Sequence, residues 1–365
     1  MMKSNWHWMK YIVALVIPIQ TIWGFEVGGW QLFSPLLLAF LIIPLLELLL
    51  APDPSNLDTL QSELEGKSPL YDGLIYLMVP LQYFTLSLFL LKMGEPNHSS
   101  LEKIVMISAM GLNCGIIGIN VAHELGHRST KLEILLAKLL LLSSLYLHFY
   151  IEHNRGHHKR VGTHDDPASA RYGESLYAFL LRSIVQSYFS AWQLEAKRLK
   201  KQNQSALSIN NQMIHFGVIQ LLLLSTILYF FGWMVMGYFM IASFLGIALL
   251  ESVNYIEHYG IGRRMREDGS FEKVMHCHSW NSNHVLGRLA LFELSRHSDH
   301  HYKASKKYQL LNHHEESPQM PTGYPGMIML ALVPPLWFKV MHPILEKEMQ
   351  RMPEMVKAER EREGE

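Results

Sequence analysis

Two cysteines occur in 365 residues, Cys114 in an apolar run and Cys277 in a polar one. A disulfide framework is therefore not expected. An iron–sulfur cluster, which usually takes four Cys or a Cys–His mixture, lacks its ligands. No G-x-G-x-x-G string follows a strand-like run, so there is no dinucleotide fingerprint. Any redox chemistry here must draw electrons from another protein. Net charge is absent too: 32 Lys and Arg balance 32 Asp and Glu, which leaves no global field for nucleic acid. Charged residues are scarce, at 18%. No small-residue cleavage site follows the first apolar run, so it reads as retained rather than as a signal peptide.

Apolar residues make up 49%, blocked into runs that a soluble core does not need. A spanning helix needs about 20 mostly apolar residues. Six runs qualify: 11–28, 32–51, 74–93, 104–122, 216–231 and 235–253. Gly28-Gly29 separates the first pair and Gly232-Trp233 the last, which suits helical hairpins. A seventh run, 132–150, is interrupted by Lys138 and flanked by His123 and His127 before it and His153, His157 and His158 after it. A crossing would separate those imidazoles by ~30 Å of hydrocarbon. The run is therefore expected to be re-entrant, interfacial or packed at the site.

Charge asymmetry orients the chain. Twelve Lys and Arg lie between Arg128 and Lys201, and 15 from Arg263 to the end, with Lys3, Lys10 and Lys67 on the same side. The opposite side has only Lys92 and Lys103. Excess Lys and Arg marks the cytoplasm. Both termini and the polar parts 123–213 and 254–343 are expected there, followed by a charged tail, 344–365. The fold class is an all-α integral membrane protein, six transmembrane helices capped by a cytoplasmic histidine-rich domain, with no internal repeat and one domain over 1–365.

The chain holds 20 His, far above ordinary usage. Eight fall in three helix-spaced clusters: His123 and His127; His153, His157 and His158; His297, His300 and His301. The i, i+4 step puts two imidazoles on one helix face. His258 closes the sixth span in Asn254-Tyr-Ile-Glu-His-Tyr-Gly260. A lone His, such as His148 or His215, is ordinarily a core or surface residue; a set on one membrane face is not. Nine imidazoles exceed one tetrahedral zinc and suit two ions. Imidazole serves zinc, copper, iron and nickel alike, so spacing leaves the metal open. His123-Glu124-Leu-Gly-His127 also matches the H-E-x-x-H zinc-protease pattern, with Glu124 as base, but a protease gives the other clusters no role. A transporter would place polar groups at mid-membrane, whereas these lie at helix ends.

The arrangement H-x3-H, H-x3-H-H, H-x2-H-H resembles the membrane di-iron desaturases and hydroxylases. Longer strings narrow it. His-Glu-Leu-Gly-His-Arg (123–128), Glu-His-Asn-Arg-Gly-His-His (152–158), Asn254 to Gly260 and Arg-His-Ser-Asp-His-His (296–301) look like the bacterial alkane monooxygenases. So do His278 to His284 and Pro321 to Pro325. The resemblance runs from the first span to Pro343. Cys277 stands where the family usually has a second His, and Ser295 where Gln is common. Gln319-Met-Pro and Pro334-Pro-Leu-Trp-Phe338 are shared in character with the xylene side-chain monooxygenases.

The resemblance implies two iron ions held by His123, His127, His153, His157, His158, His258, His297, His300 and His301. It implies O2-dependent terminal hydroxylation of n-alkanes in the bacterial inner membrane, with electrons from rubredoxin, itself supplied by rubredoxin reductase. An aromatic side-chain monooxygenase or a fatty acyl desaturase or hydroxylase is the alternative. Imidazole ligands need partners for their second nitrogen. Glu257 and Asp299 are the favoured candidates, with Glu124 and Glu152 also adjacent to ligands. Basic clusters at Lys197 to Lys201, Arg263 to Arg266 and Lys303 to Lys307 suit an acidic partner. The second span is implied to line the substrate path, where small Ala39 beside Phe40 leaves room for chains longer than octane.

Overall fold

The computed structural model describes residues 6–363, with side chains described to Lys357. Lys3, Arg360 and Arg362, counted in the charge asymmetry, fall outside those limits. Among the described residues there is no strand, only the isolated bridges Met265–Phe271 and Asn281–Gln319.

Five helical runs are long and apolar enough to cross a membrane. Helix α1 (His7–Val27) and α2 (Gly29–Leu49) form a tight hairpin. Its turn is Gly28 and Gly29, with φ of 74° and 61°, a backbone region that a β-carbon disfavours. A short α3 (Thr59–Lys67) precedes α4 (Pro69–Gly94), which opens on proline, and α5 (Ser100–Gly126), which opens on a Ser99–Glu102 capping box. After α6 (Lys131–Leu142), a segment α7 (149–160) and the amphipathic α8 (Leu176–Lys201) comes α9 (Gln212–His258).

Helix α9 is 47 residues long, more than twice what a bilayer needs. It doubles back. Gly232 has φ 81° and ψ 171°, outside any helix. Gln220, before that break, accepts from Leu147 N at 3.2 Å, and Glu251, after it, accepts from Tyr146 OH at 2.8 Å. Two residues 31 apart thus meet adjacent positions of the chain, which a straight helix cannot do. Small residues let its second half approach α5: a β-carbon at Gly111 would sit 2.7 Å from Leu245 Cβ, and one at Gly115 2.8 Å from Leu249 Cδ2.

The 132–150 run likewise goes in and returns. Glu133 meets Tyr76 OH at 3.1 Å, and six residues deeper Leu139 O accepts from Tyr83 OH at 2.8 Å, so α6 descends beside α4. The chain turns at Leu145, φ 53°, and α7 climbs back until His153 meets His127. Helices α10 (Val285–Ala290), α11 (His297–Tyr302), α12 (Tyr324–Ala331) and α13 (Pro334–Glu363) complete the cap. Buried Glu47 near the end of α2 receives Gly287 N at 2.7 Å, which pins the cap to that hairpin.

Candidate metal centre

Four elements bring nine imidazoles together. The end of α5 carries His123 and His127, α7 carries His153, His157 and His158, the end of α9 carries His258, and α11 carries His297, His300 and His301. Their ligand atoms form two groups, each within 4.8 Å of one another: His123, His127, His153, His158 and His300 in one, His157, His258, His297 and His301 in the other. The groups adjoin, with the His158 and His301 ring centroids 4.5 Å apart.

Local backbone decides this partition. His153–His157 is a π-helical turn, whose widened spacing brings residue i+5 over residue i. His158 Nε2 therefore lies 2.9 Å from His153 Nε2, and His157 goes to the other group. The i, i+4 step does not pair His153 with His157 as the sequence implied. A second π turn, Cys114–Ile119, ends one residue before the Asn120–Gly126 turn that carries His123 and His127. In α11 the ordinary helix splits its three rings, His297 and His301 to one side and His300 to the other.

The nitrogens face one another. Nε2 to Nε2 separations are 2.9 Å for His123–His300, 3.1 Å for His127–His153 and His158–His300, 3.1 Å for His258–His297 and 3.2 Å for His157–His301. Neighbouring ligands on one ion with metal–nitrogen bonds of about 2.0–2.1 Å stand about 3.0–3.4 Å apart. Burial first, and neighbouring imidazoles second, hold His153, His158, His297, His300 and His301 well below their ordinary pKa. They are neutral, with lone pairs free for a cation. The donor set fits two transition-metal ions, and five imidazoles in one group exceed the tetrahedral four of a structural zinc.

Residues 103–331 match the fatty acid desaturase family model. The chain is 40% identical to alkane 1-monooxygenase 2 of Alcanivorax borkumensis over 344 residues, 92% of this chain and 88% of that one. It is 40% identical to alkane 1-monooxygenase 1 of Pseudomonas aeruginosa over 351 residues, 93% and 90% of the two chains. This chain belongs to the alkane 1-monooxygenase family. The hydroxylase component of the xylene/toluene monooxygenase of Pseudomonas putida stands further off, at 27% over 335 residues, 90% and 86% of the two chains.

Within this family member the carboxylates take different posts from those adjacency implied. Glu257 reaches across to His297, Oε2 to Nε2 3.2 Å, and its Oε1 receives Tyr324 OH at 2.7 Å. Asp299 is turned away from the nine rings. Its Oδ2 receives Lys306 Nζ and Asn312 N, both at 2.6 Å, and its Oδ1 lies 3.3 Å from His314 Nε2 and 3.7 Å from His276 Nε2. Burial alone would raise its carboxyl; those imidazoles and the ammonium outweigh it and hold the group below the usual carboxylate range. Glu124 accepts from Arg128 Nε at 3.1 Å and Tyr308 N at 3.2 Å, so the base of the H-E-x-x-H reading is engaged elsewhere. Glu152 accepts from Arg160 Nη2 and Ser190 Oγ.

Asp166 was missed. Its Oδ2 lies 2.9 Å from His157 Nδ1 and receives Ser169 Oγ at 2.6 Å. Burial would lower His157, but this carboxylate raises it above its ordinary value. The only sequence signal is His164-Asp-Asp-Pro167, a polar stretch just past the second cluster.

An apolar cavity opens among α1, α2, α5, α9, α10 and α12. Ile17, Ala39 and Phe40 line one part, Leu112, Ile116 and Leu249 another, and Tyr324 is among its walls. Tyr324 is also the partner of Glu257, so the cavity lies two hydrogen-bonded contacts from His297.

Proposed function

We propose that this protein hydroxylates the terminal methyl group of medium to long n-alkanes with O2 at two irons held by the nine histidines. Electrons would come from rubredoxin, itself supplied by rubredoxin reductase. The observation that carries the reading is the apolar cavity linked to the histidine centre through Tyr324 and Glu257, in a chain of this family. Bound iron supplies the reduction of O2 and the insertion of one oxygen atom into a C–H bond. The chain's own residues do the rest. Ile17, Ala39, Phe40 and Leu249 offer an extended hydrocarbon apolar walls and no hydrogen bonds, so it enters dry. The Glu257–Tyr324 pair closes the polar side of that space. Asp166 holds a proton on His157 Nδ1, which leaves Nε2 free to ligate.

Six spans follow if the two halves of α9 each cross, with both termini and the centre on the cytoplasmic side of the bacterial inner membrane. The Lys and Arg bias supports that orientation. Whole cells producing the protein should convert octane and hexadecane to 1-alkanols. Conversion of xylene alone would favour an aromatic side-chain monooxygenase, and unsaturated acyl products a desaturase.

Metal analysis of purified protein should give about two irons per chain; active protein holding one zinc and no iron would sink the reading. Asp166→Asn should leave folding intact and weaken retention of one of the two irons by about 10–100-fold, the usual cost of losing a partner behind a ligating imidazole. Chelator competition measures it.

A further inference from the structure

Helix α8 carries more apolar surface than its packing uses. Its buried face, which includes Phe179, Ser183, Ser190 and Glu195, packs on α7 and α9. On another face Tyr177, Leu181, Val185 and Phe189, spaced four apart, are 52%, 75%, 53% and 59% exposed. Continued at the same step, the stripe becomes Gln193, Lys197 and Lys201. Four large apolar groups in one row on a well-packed helix are not a surface made for water.

The placement of α8 says what covers them. Near its start, Glu174 O accepts from Tyr255 OH at 2.7 Å, and Ser183 bonds Glu251. Near its end, Glu195 Oε1 accepts from Gln212 N at 2.9 Å. Gln212 opens the apolar hairpin of α9, and Glu251 and Tyr255 close it. Helix α8, about 39 Å long at 1.5 Å per residue, therefore lies across the open end of that hairpin. This is the level where its chain leaves hydrocarbon. Two neighbours extend the patch. Tyr177 OH donates to Leu332 O at 2.8 Å, beside exposed Leu332, Val333 and Leu336, and the connection to α9 exposes Leu207 and Ile209.

We propose that α8 is an interfacial helix seated in the bilayer surface. Its Tyr177–Phe189 stripe sinks into the boundary between headgroups and acyl chains, and Lys197, Lys200 and Lys201 meet anionic lipid headgroups. The far side of the same helix holds the centre: Glu195 Oε2 accepts from Arg155 at 2.9 Å, and Ser190 Oγ from Arg160 at 2.7 Å. The lipid surface thus backs the helix that braces the His153–His158 turn. The inference rests on reading the two halves of α9 as spans.

Nitroxide scanning tests it. Cys114 and Cys277 are buried, so single cysteines introduced on the surface label selectively. Labels go at Leu181→Cys, Val185→Cys, Phe189→Cys and Lys197→Cys, with Leu222→Cys on the exposed face of α9 as the lipid reference. The iron-loaded full chain is placed in vesicles of phosphatidylethanolamine and phosphatidylglycerol. Positions 181, 185 and 189 should collide with O2 and not with a water-soluble nickel complex, as at 222, while 197 should collide with the nickel complex. Nickel access at 181, 185 and 189 with none at 222 overturns the interfacial helix alone. Nickel access at 222 as well removes the spans on which it rests. Protection of 181, 185 and 189 from both collision partners means that protein covers the stripe, and that also overturns it.

Discussion

His300→Ala should purify with at most one tightly held iron and should lose hydroxylation, while still inserting in the membrane. In the five-imidazole group, His300 Nε2 lies 2.9 Å from that of His123 and 3.1 Å from that of His158. Removing it opens one ion's donor set on two sides. The loss should exceed the roughly 100-fold upper limit for a partner behind a ligand, because a ligand itself is gone. Insertion depends on the apolar runs and not on one imidazole. His157→Ala should behave alike through the other group, where its Nε2 meets that of His301 at 3.2 Å. His148→Ala is the control: that ring packs between Tyr146 and Tyr188 and belongs to neither group. Iron content, membrane fraction and alkane turnover are measured in all three. Full activity in His300→Ala or His157→Ala would remove that residue from the site.

Eight of the nine histidines could be grouped from the sequence because helix spacing needs no tertiary information; His258 stands alone in sequence, and the full set of nine rests on the family resemblance. How they divide could not be read. The partition rests on the π turn at His153–His157, and a single inserted residue in a helical hydrogen-bond ladder has no reliable compositional mark. Reading the stretch as a regular helix put His153 with His157, where the structure puts it with His158. Glu257 does meet a ligand, His297, but Asp299 does not, for a related reason. Adjacency in sequence is not adjacency in space: Asp299, two residues from His297, points off the ring-bearing faces of α11 to Lys306 and Asn312. Asp166, eight residues past His158, comes back through a loop to reach His157. The reversal at Gly232 was legible because glycine between two apolar runs carries a local conformational meaning. The path of 132–150 was legible only in outline, since Tyr76, Tyr83 and Gln220, which fix its depth, lie far away in sequence.

Ala39→Trp should cut hexadecane turnover by tenfold or more and leave octane turnover nearly unchanged. Ala39 is 5% exposed, lies in the π turn Leu38–Ile42 of α2 and lines the apolar cavity with Ile17 and Phe40. Tyr324, the residue that connects to Glu257 and His297, lines the same cavity. On the proposed path, a chain whose methyl group lies at the histidine centre passes Tyr324 and leaves its tail beside Ala39. The indole ring occupies that space. A short chain ends before reaching it, and a long chain meets it. Removing room for even one methylene costs about 1–3 kcal/mol in an apolar pocket, or 10–200-fold, and the ring displaces several. Overpacking the hairpin costs stability as well, about 1–3 kcal/mol, and would lower both substrates together. The decisive quantity is therefore the ratio of hexadecane to octane turnover, taken on protein with unchanged iron content. A ratio equal to that of the parent protein would place the tail on another path.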